Sequence, residues 1–245
     1  MAGAAKNSYN HLVSPIQHAV YHDNIELVQI LLDLDADEDG YTEVEGDKSL
    51  DDIDEEDDDF DIDRLQTPLQ LAVSNRNSVL VRLLLSSGAD ANAQQYGDTP
   101  LQIAARMGDV ALVRLLLRNG AHVNIAARKN GGRTALQAAA ESGNSDLVQI
   151  LLDEGANVNA LPAFKKGRTA IQAAAHGRHT EILRTLRELG ADVNAKPCSR
   201  GGRTCLQAAA ENGDSEMIRI LLKFGAEVNA PAASERGRTA LQAAI

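Results

Sequence analysis

A chain of 245 residues that is 44% hydrophobic can bury one or two cores, but it is 3% aromatic and holds no Trp. That composition argues against aromatic platforms for single-stranded nucleic acid, and a net charge of −11 disfavours phosphate backbones. Residues 1–13 lack an apolar run long enough for a signal peptide and no stretch spans a membrane; an intracellular chain is expected, cytoplasm ahead of nucleus. Cys198 and Cys205 are expected to be reduced thiols, since two cysteines without paired histidines make no zinc spacing.

The first predicted helix opens at Ser14-Pro15-Ile16-Gln17, and Ile25, Leu27, Val28, Ile30, Leu31 and Leu32 form one face of a second. Residues 1–32 read as a degenerate first unit. Tyr9, His11, His18, Tyr21 and His22 gather there and are read as covering its exposed end rather than holding metal. Residues 33–63 then carry 18 acids against Lys48, a local charge of −17, which leaves +6 for the rest of the chain. So dense a run of like charge predicts a disordered insertion. Within it, Asp35, Asp37, Asp39 and Glu43 match the first half of a calcium loop, but Gly46 stands where the bidentate glutamate belongs. A solvated acidic loop is the preferred reading, with those four residues as the candidate ligands.

From residue 64 a period takes over. TPLQLAV at 67, TPLQIAA at 99, TALQAAA at 134, TAIQAAA at 169, TCLQAAA at 204 and TALQAAI at 239 are spaced 32, 35, 35, 35 and 35 residues apart. Each begins with the Thr-x-x-Gln spacing of a capping box, in which both side chains satisfy backbone N–H groups at a helix entrance. Leu147, Val148, Ile150, Leu151 and Leu152, like Met217, Ile218, Ile220, Leu221 and Leu222, mark a second helix. Gly88, Gly120, Gly155, Gly190 and Gly225 end it, each followed by Ala-x-x-Asn and a long loop. The units are 64–94, 95–129, 130–164, 165–199, 200–234 and a partial 235–245. The inter-helix turn at Gly177-Arg178 is expected to be distorted, making its unit the weakest of the interior. Ending one helix into a seventh unit suggests a fragment of a longer protein.

These motifs resemble the ankyrin repeat, G-x-TPLHxAA-x-x-G…LLL-x-x-GA-x-x-N, across nearly the whole chain outside 33–63, with Gln where that family usually has His. The GRTALQAAAE wording and long loops look most like fungal arrays. The resemblance implies an all-α ankyrin-repeat solenoid of helix-turn-helix units joined by hairpin-like loops, here with an acidic insertion. It also implies a non-catalytic scaffold that binds a protein partner through loop tips and the exposed side of each first helix. Carried over by motif, that surface comprises Tyr96, Asp98, Arg106, Met107, Arg133, Glu141, Lys165, Lys166, Arg168, His176, Arg200, Arg203, Glu211 and Asn212.

The sequence holds no phosphate-binding, nucleophile-elbow or zinc-protease motif, so neither an enzyme nor a cofactor is expected. Loops 128–238 bear Arg128, Lys129, Arg133, Lys165, Lys166, Arg168, Lys196, Arg200, Arg203, Arg236 and Arg238, a rim that favours an acidic protein. The competing reading makes the Arg before each Thr structural. The acidic insertion is a candidate internal competitor for the rim. Alternatives are contact with nucleic acid or histone, or an architectural spacer; the chain is expected to be a monomer or part of a larger protein.

Overall fold

A computed structural model describes residues 14–34, 36–39, 66–94, 97–128, 131–231, 233–234 and 238–243. Among them no strand occurs, and the helices divide between two units, Met1–Pro100 and Leu101–Ile245. In the first, α1 (Pro15–Tyr21) and α2 (Ile25–Asp33) form one pair, and α3 (Pro68–Ser74) and α4 (Ser78–Ser87) the next. α1 lies on α3 and α2 on α4. The second unit continues with α5 (Pro100–Arg106), α6 (Val110–Arg118), α7 (Ala135–Ser142) and α8 (Ser145–Asp153). After these come α9 (Ala170–His176), α10 (Thr180–Glu188), α11 (Cys205–Glu211), α12 (Ser215–Lys223) and α13 (Ala240–Ala243). First helices stack α7 on α9, α9 on α11 and α11 on α13.

The thin first helices make this stacking close. Ala138, Ala139 and Ala140 are buried, as are Ala173 to Ala175 and Ala208 to Ala210. With only a methyl group to accommodate, adjacent helices approach until little but backbone separates them. The second helices supply the larger apolar volume. Leu147, Val148, Ile150 and Leu151 of α8 are buried, while Gln149 between them is exposed. Each such side chain contributes on the order of 2 kcal/mol.

The capping boxes are formed at Ser14/Gln17, Thr67/Gln70, Thr134/Gln137, Thr169/Gln172 and Thr204/Gln207. The glutamine does more than cap. Oε1 of Gln137 accepts the Thr134 N–H at 3.0 Å, while its Nε2 donates to the carbonyls of Ala160 and Leu161, both at 3.1 Å. Gln102, Gln172 and Gln207 reach carbonyls 23 and 24 residues ahead in the same way. A buried amide thereby joins each helix entrance to the loop that leads to the next repeat.

On the opposite edge the asparagine of Ala-x-x-Asn links repeats. Asn159 donates to the Gly190 carbonyl at 3.0 Å and accepts the Asp192 N–H at 3.0 Å. Asn124 bridges to Gly155 and Asn157, and Asn194 to Gly225 and Glu227. The first repeat carries this ladder into the acidic stretch. The Ala36 N–H closes on Leu31 O at 3.0 Å, as Ala156 does on Leu151, and Asp39 accepts the Asp90 N–H at 3.0 Å. Asp39 therefore stands at the ladder position, and α2 runs through Asp33, so residues 33–34 and 36–39 belong to the first repeat. The calcium-like spacing here coincides with the repeat's own loop, and Asp37 accepts the Asp39 N–H as Asn157 accepts that of Asn159. Asp35 and Glu43, and residues 40–63 of the expected insertion, lie outside the described residues.

The turn at Gly177-Arg178 keeps the register of its neighbours. Arg178 takes the left-handed conformation, φ +62°, that Gly143 and Gly213 take in adjoining repeats. Its register is held by His179 N–H to Ala174 O at 2.9 Å, the bond that Asp214 makes to Ala209. The expected distortion is thus replaced by local strain at a non-glycine residue. α10 also lacks a side-chain cap, because His179 stands where Asn144 and Asp214 cap theirs.

Replacing Gln137 by Leu keeps the volume and leaves the buried Thr134 N–H and two loop carbonyls without their amide. The urea unfolding midpoint should fall, equivalent to about 2–4 kcal/mol. An unchanged midpoint would show the amide to be dispensable.

Candidate protein-interaction surface

In the Leu101–Ile245 unit the loops before Thr134, Thr169 and Thr204 each fold into a tight finger. A Cβ at Gly132, Gly167 or Gly202 would lie 2.2–2.5 Å from backbone atoms of Arg128, Ala163 or Cys198, so only glycine fits there. The preceding residue is left-handed: Gly131 at φ +74°, Gly201 at +72°, and between them Lys166 at +54°. Neighbouring fingers are joined through their backbones. Gly131 N–H donates to Lys165 O at 3.1 Å and Lys166 N–H to Arg200 O at 3.3 Å, with Lys165 and Arg200 forming a parallel bridge.

The side chains expected at the surface separate into three groups. Arg133 and Glu141 form a two-point ion pair, with Arg133 Nη2 at 3.0 Å from Glu141 Oε1 and Nε on Oε2. Arg203 and Glu211 pair through one contact, Nε to Oε2 at 3.1 Å. Arg168 has no acid of its own, since His176 occupies that position, and reaches Glu141 Oε1 at 3.1 Å. Arg133 and Arg203 therefore tie a finger to its own first helix, and Arg168 ties its finger to the first helix of the preceding repeat. Arg133 and Arg203 also donate to finger carbonyls at Gly131 and at Gly201 and Gly202. Such half-exposed pairs are worth about 0–1 kcal/mol each.

Lys166 and Arg200 form the second group and are exposed at the fingertips, with Lys165 half-buried beside them; Arg128 and Lys196 are exposed on the same loops. The third group braces or lies elsewhere. Asn212 donates to the His176 carbonyl at 2.8 Å and its own carbonyl accepts Arg178, so its polar groups join two turns. Arg106 is exposed at the end of α5, and Met107 beside it is half-buried. In the Met1–Pro100 unit, the Asp98 carbonyl accepts Gln70 at 2.9 Å; Tyr96 lies outside the described residues.

Two surface residues escaped the motif carry-over. Leu161 is 84% exposed and Phe164 60% exposed, both on the finger that also carries Lys165 and Lys166. Family motif positions do not mark them, because long fingers exceed the common pattern. Their signal is composition: a Leu and a Phe in a loop of a chain with three Phe in all.

Burial lowers His176 below the ordinary imidazole value of 6.5; Arg168 and Arg133 push the same way, and Glu141 and Glu211 oppose them. Burial also lowers the Arg168 guanidinium, with Glu141 opposing and Arg133 and Arg203 adding to the effect. Cys198 and Cys205 are free and buried, and desolvation pushes the Cys205 thiol up to about 12, so it remains protonated. Among the described residues no three His, Cys, Asp or Glu side chains are placed to hold a metal, and no helix is long and apolar enough to cross a membrane.

A family model described as Ankyrin repeats (3 copies) matches residues 45–127, 127–197 and 196–245. The chain belongs to the ankyrin repeat family. Its fold is similar to the crystal structure of the human ASB11 ankyrin repeat domain, at a TM-score of 0.67 and 23% identity, over 95% of this chain and 92% of that one. No curated protein matches the sequence. Ankyrin repeats are in general protein–protein interaction modules, and the fold is typically a scaffold without catalysis. In this ankyrin array the fingers and first-helix ends are the parts set aside from the core.

Two outcomes follow from this geometry. Lys166→Gly relieves a left-handed lysine and should raise stability by about 1 kcal/mol, read as a higher urea midpoint; a lower midpoint would mean the Lys166 side chain makes a stabilising contact. The depressed His176 makes the unfolded chain the better proton acceptor, so stability present at pH 7 should decline as pH falls through 6.5. His176→Gln should flatten that slope, and the His176 ring resonance should titrate below 6.5 by NMR.

Proposed function

We propose that this chain is a non-catalytic scaffold that holds an acidic protein partner on the fingers and first-helix ends of its Leu101–Ile245 unit. The observation that carries the reading is the joined finger row, in which exposed Leu161 and Phe164 stand beside Lys165 and Lys166 on backbone fixed by bonds to Gly131 and Arg200. A surface ordered before contact loses little conformational freedom on docking. An exposed aromatic ring next to cations suits a partner segment that mixes apolar and acidic side chains. Lys166 adds to this: a strained backbone kept at a fingertip, where the neighbouring fingers use glycine, fits selection for its side chain.

The test is retention of proteins from the source cell's lysate by the tagged chain and by a Phe164→Ala, Lys166→Gly double variant. The double variant should fold at least as stably, because Phe164 is mostly exposed, yet lose the retained protein about tenfold. Equal retention by both, or by neither, would overturn the finger row as the binding surface.

A further inference from the structure

On three first helices, the residue before the capping Thr and the residue eight further on are placed side by side and are chemically matched. In the Met1–Pro100 unit Ser74 Oγ donates to Gln66 Oε1 at 3.3 Å. In the Leu101–Ile245 unit Arg133 meets Glu141, and Arg203 meets Glu211. The repeat between these last two breaks the rule, with His176 opposite Arg168.

The consequence is a local shortage of negative charge. Arg133, Arg168 and Arg203 share two carboxylates, and Glu141 serves two guanidiniums at once. Arg168 feels both neighbouring arginines. Its guanidinium makes one hydrogen bond among the described residues, from Nη1 to Glu141, a single bond from a fork that carries five donors. Among the described residues the His176 ring makes none; the residue is half-buried and its backbone carbonyl accepts Asn212. Solvent reaches the spot, since the Arg168 side chain is 23% exposed.

We propose that a carboxylate side chain of the protein partner docks between Arg168 and His176, at the position Glu141 and Glu211 occupy in the adjoining repeats. This rests on the reading of the surface as a partner site and adds a defined acidic anchor to it. A glutamate or aspartate arriving there completes the fork on Arg168 and frees Glu141 to pair with Arg133 alone. The ring of His176 then offers a donor from its second side. The unmatched repeat is also the one that carries Phe164 and Lys166 on its finger, which places an acidic anchor directly after an apolar and basic tip in the chain.

The test uses the full chain and a fluorescently labelled octaglutamate peptide, followed by anisotropy at fixed salt. His176→Glu places the missing acid in the chain itself. It should weaken peptide binding about tenfold while folding at least as stably. Arg219→Gln changes net charge equally on the exposed face of α12 and should leave binding within about twofold. In a second measurement the His176 ring resonance, followed by NMR, should shift its titration midpoint upward when the peptide is added. Equal binding by wild type and His176→Glu would overturn this anchor and leave the finger surface standing. Absence of peptide binding to the wild type would overturn both the anchor and the acidic character of the partner.

Discussion

One glutamine amide per repeat is the interaction on which the array depends. Its carbonyl oxygen takes the N–H that the helix entrance would leave bare, and its NH₂ group takes carbonyls from a loop 23 and 24 residues further on. A hydroxyl could cap the helix but could not supply both functions across that distance. Because these glutamines are buried, losing one leaves the buried N–H at the helix entrance without a partner. Helix start, loop path and spacing between repeats are thus set by a single side chain.

The asparagine ladder and the joined fingers also link repeats, and both reach backbone atoms of the neighbouring repeat. The chain departs from its own pattern where the replacement keeps the acceptor or the backbone conformation that the neighbouring repeats use. Asp39 keeps the acceptor of the ladder position; burial raises its carboxyl above the ordinary 3.8, with Asp90, Asp37 and Glu38 adding to the effect and the Asp90 N–H opposing it. Lys166 and Arg178 keep left-handed backbone without glycine. His176 keeps its place on the helix without the acid its neighbours carry. Departures that preserve the frame while changing the exposed group are how a repeat array acquires a particular surface without a change of fold.

The basic rim read from the loops is in fact two populations. Arg133, Arg168 and Arg203 turn back onto Glu141 and Glu211, eight residues along or one repeat away, a pairing that charge counting along the loops cannot detect. Lys166, Arg200, Arg128 and Lys196 are the exposed ones. The apolar component of the fingertip, Leu161 and Phe164, was invisible to motif alignment for a different reason: it lies in the long loop, where these repeats exceed the usual length.

What the sequence determined by itself was everything local and periodic. Thr-x-x-Gln dictated helix entrances, Leu and Ile spacing the buried faces, and glycine the left-handed ends, because each of those rests on groups within a few residues of one another. The 35-residue period carried the family and the fold with it. Only the tertiary structure decided which charges are used internally, which residue of 33–39 belongs to the ladder, and which repeat lacks its acid. Those questions turn on side chains from different repeats meeting at about 3 Å, and hydrogen-bond and ion-pair geometry at that range is set by stacking rather than by order along the chain.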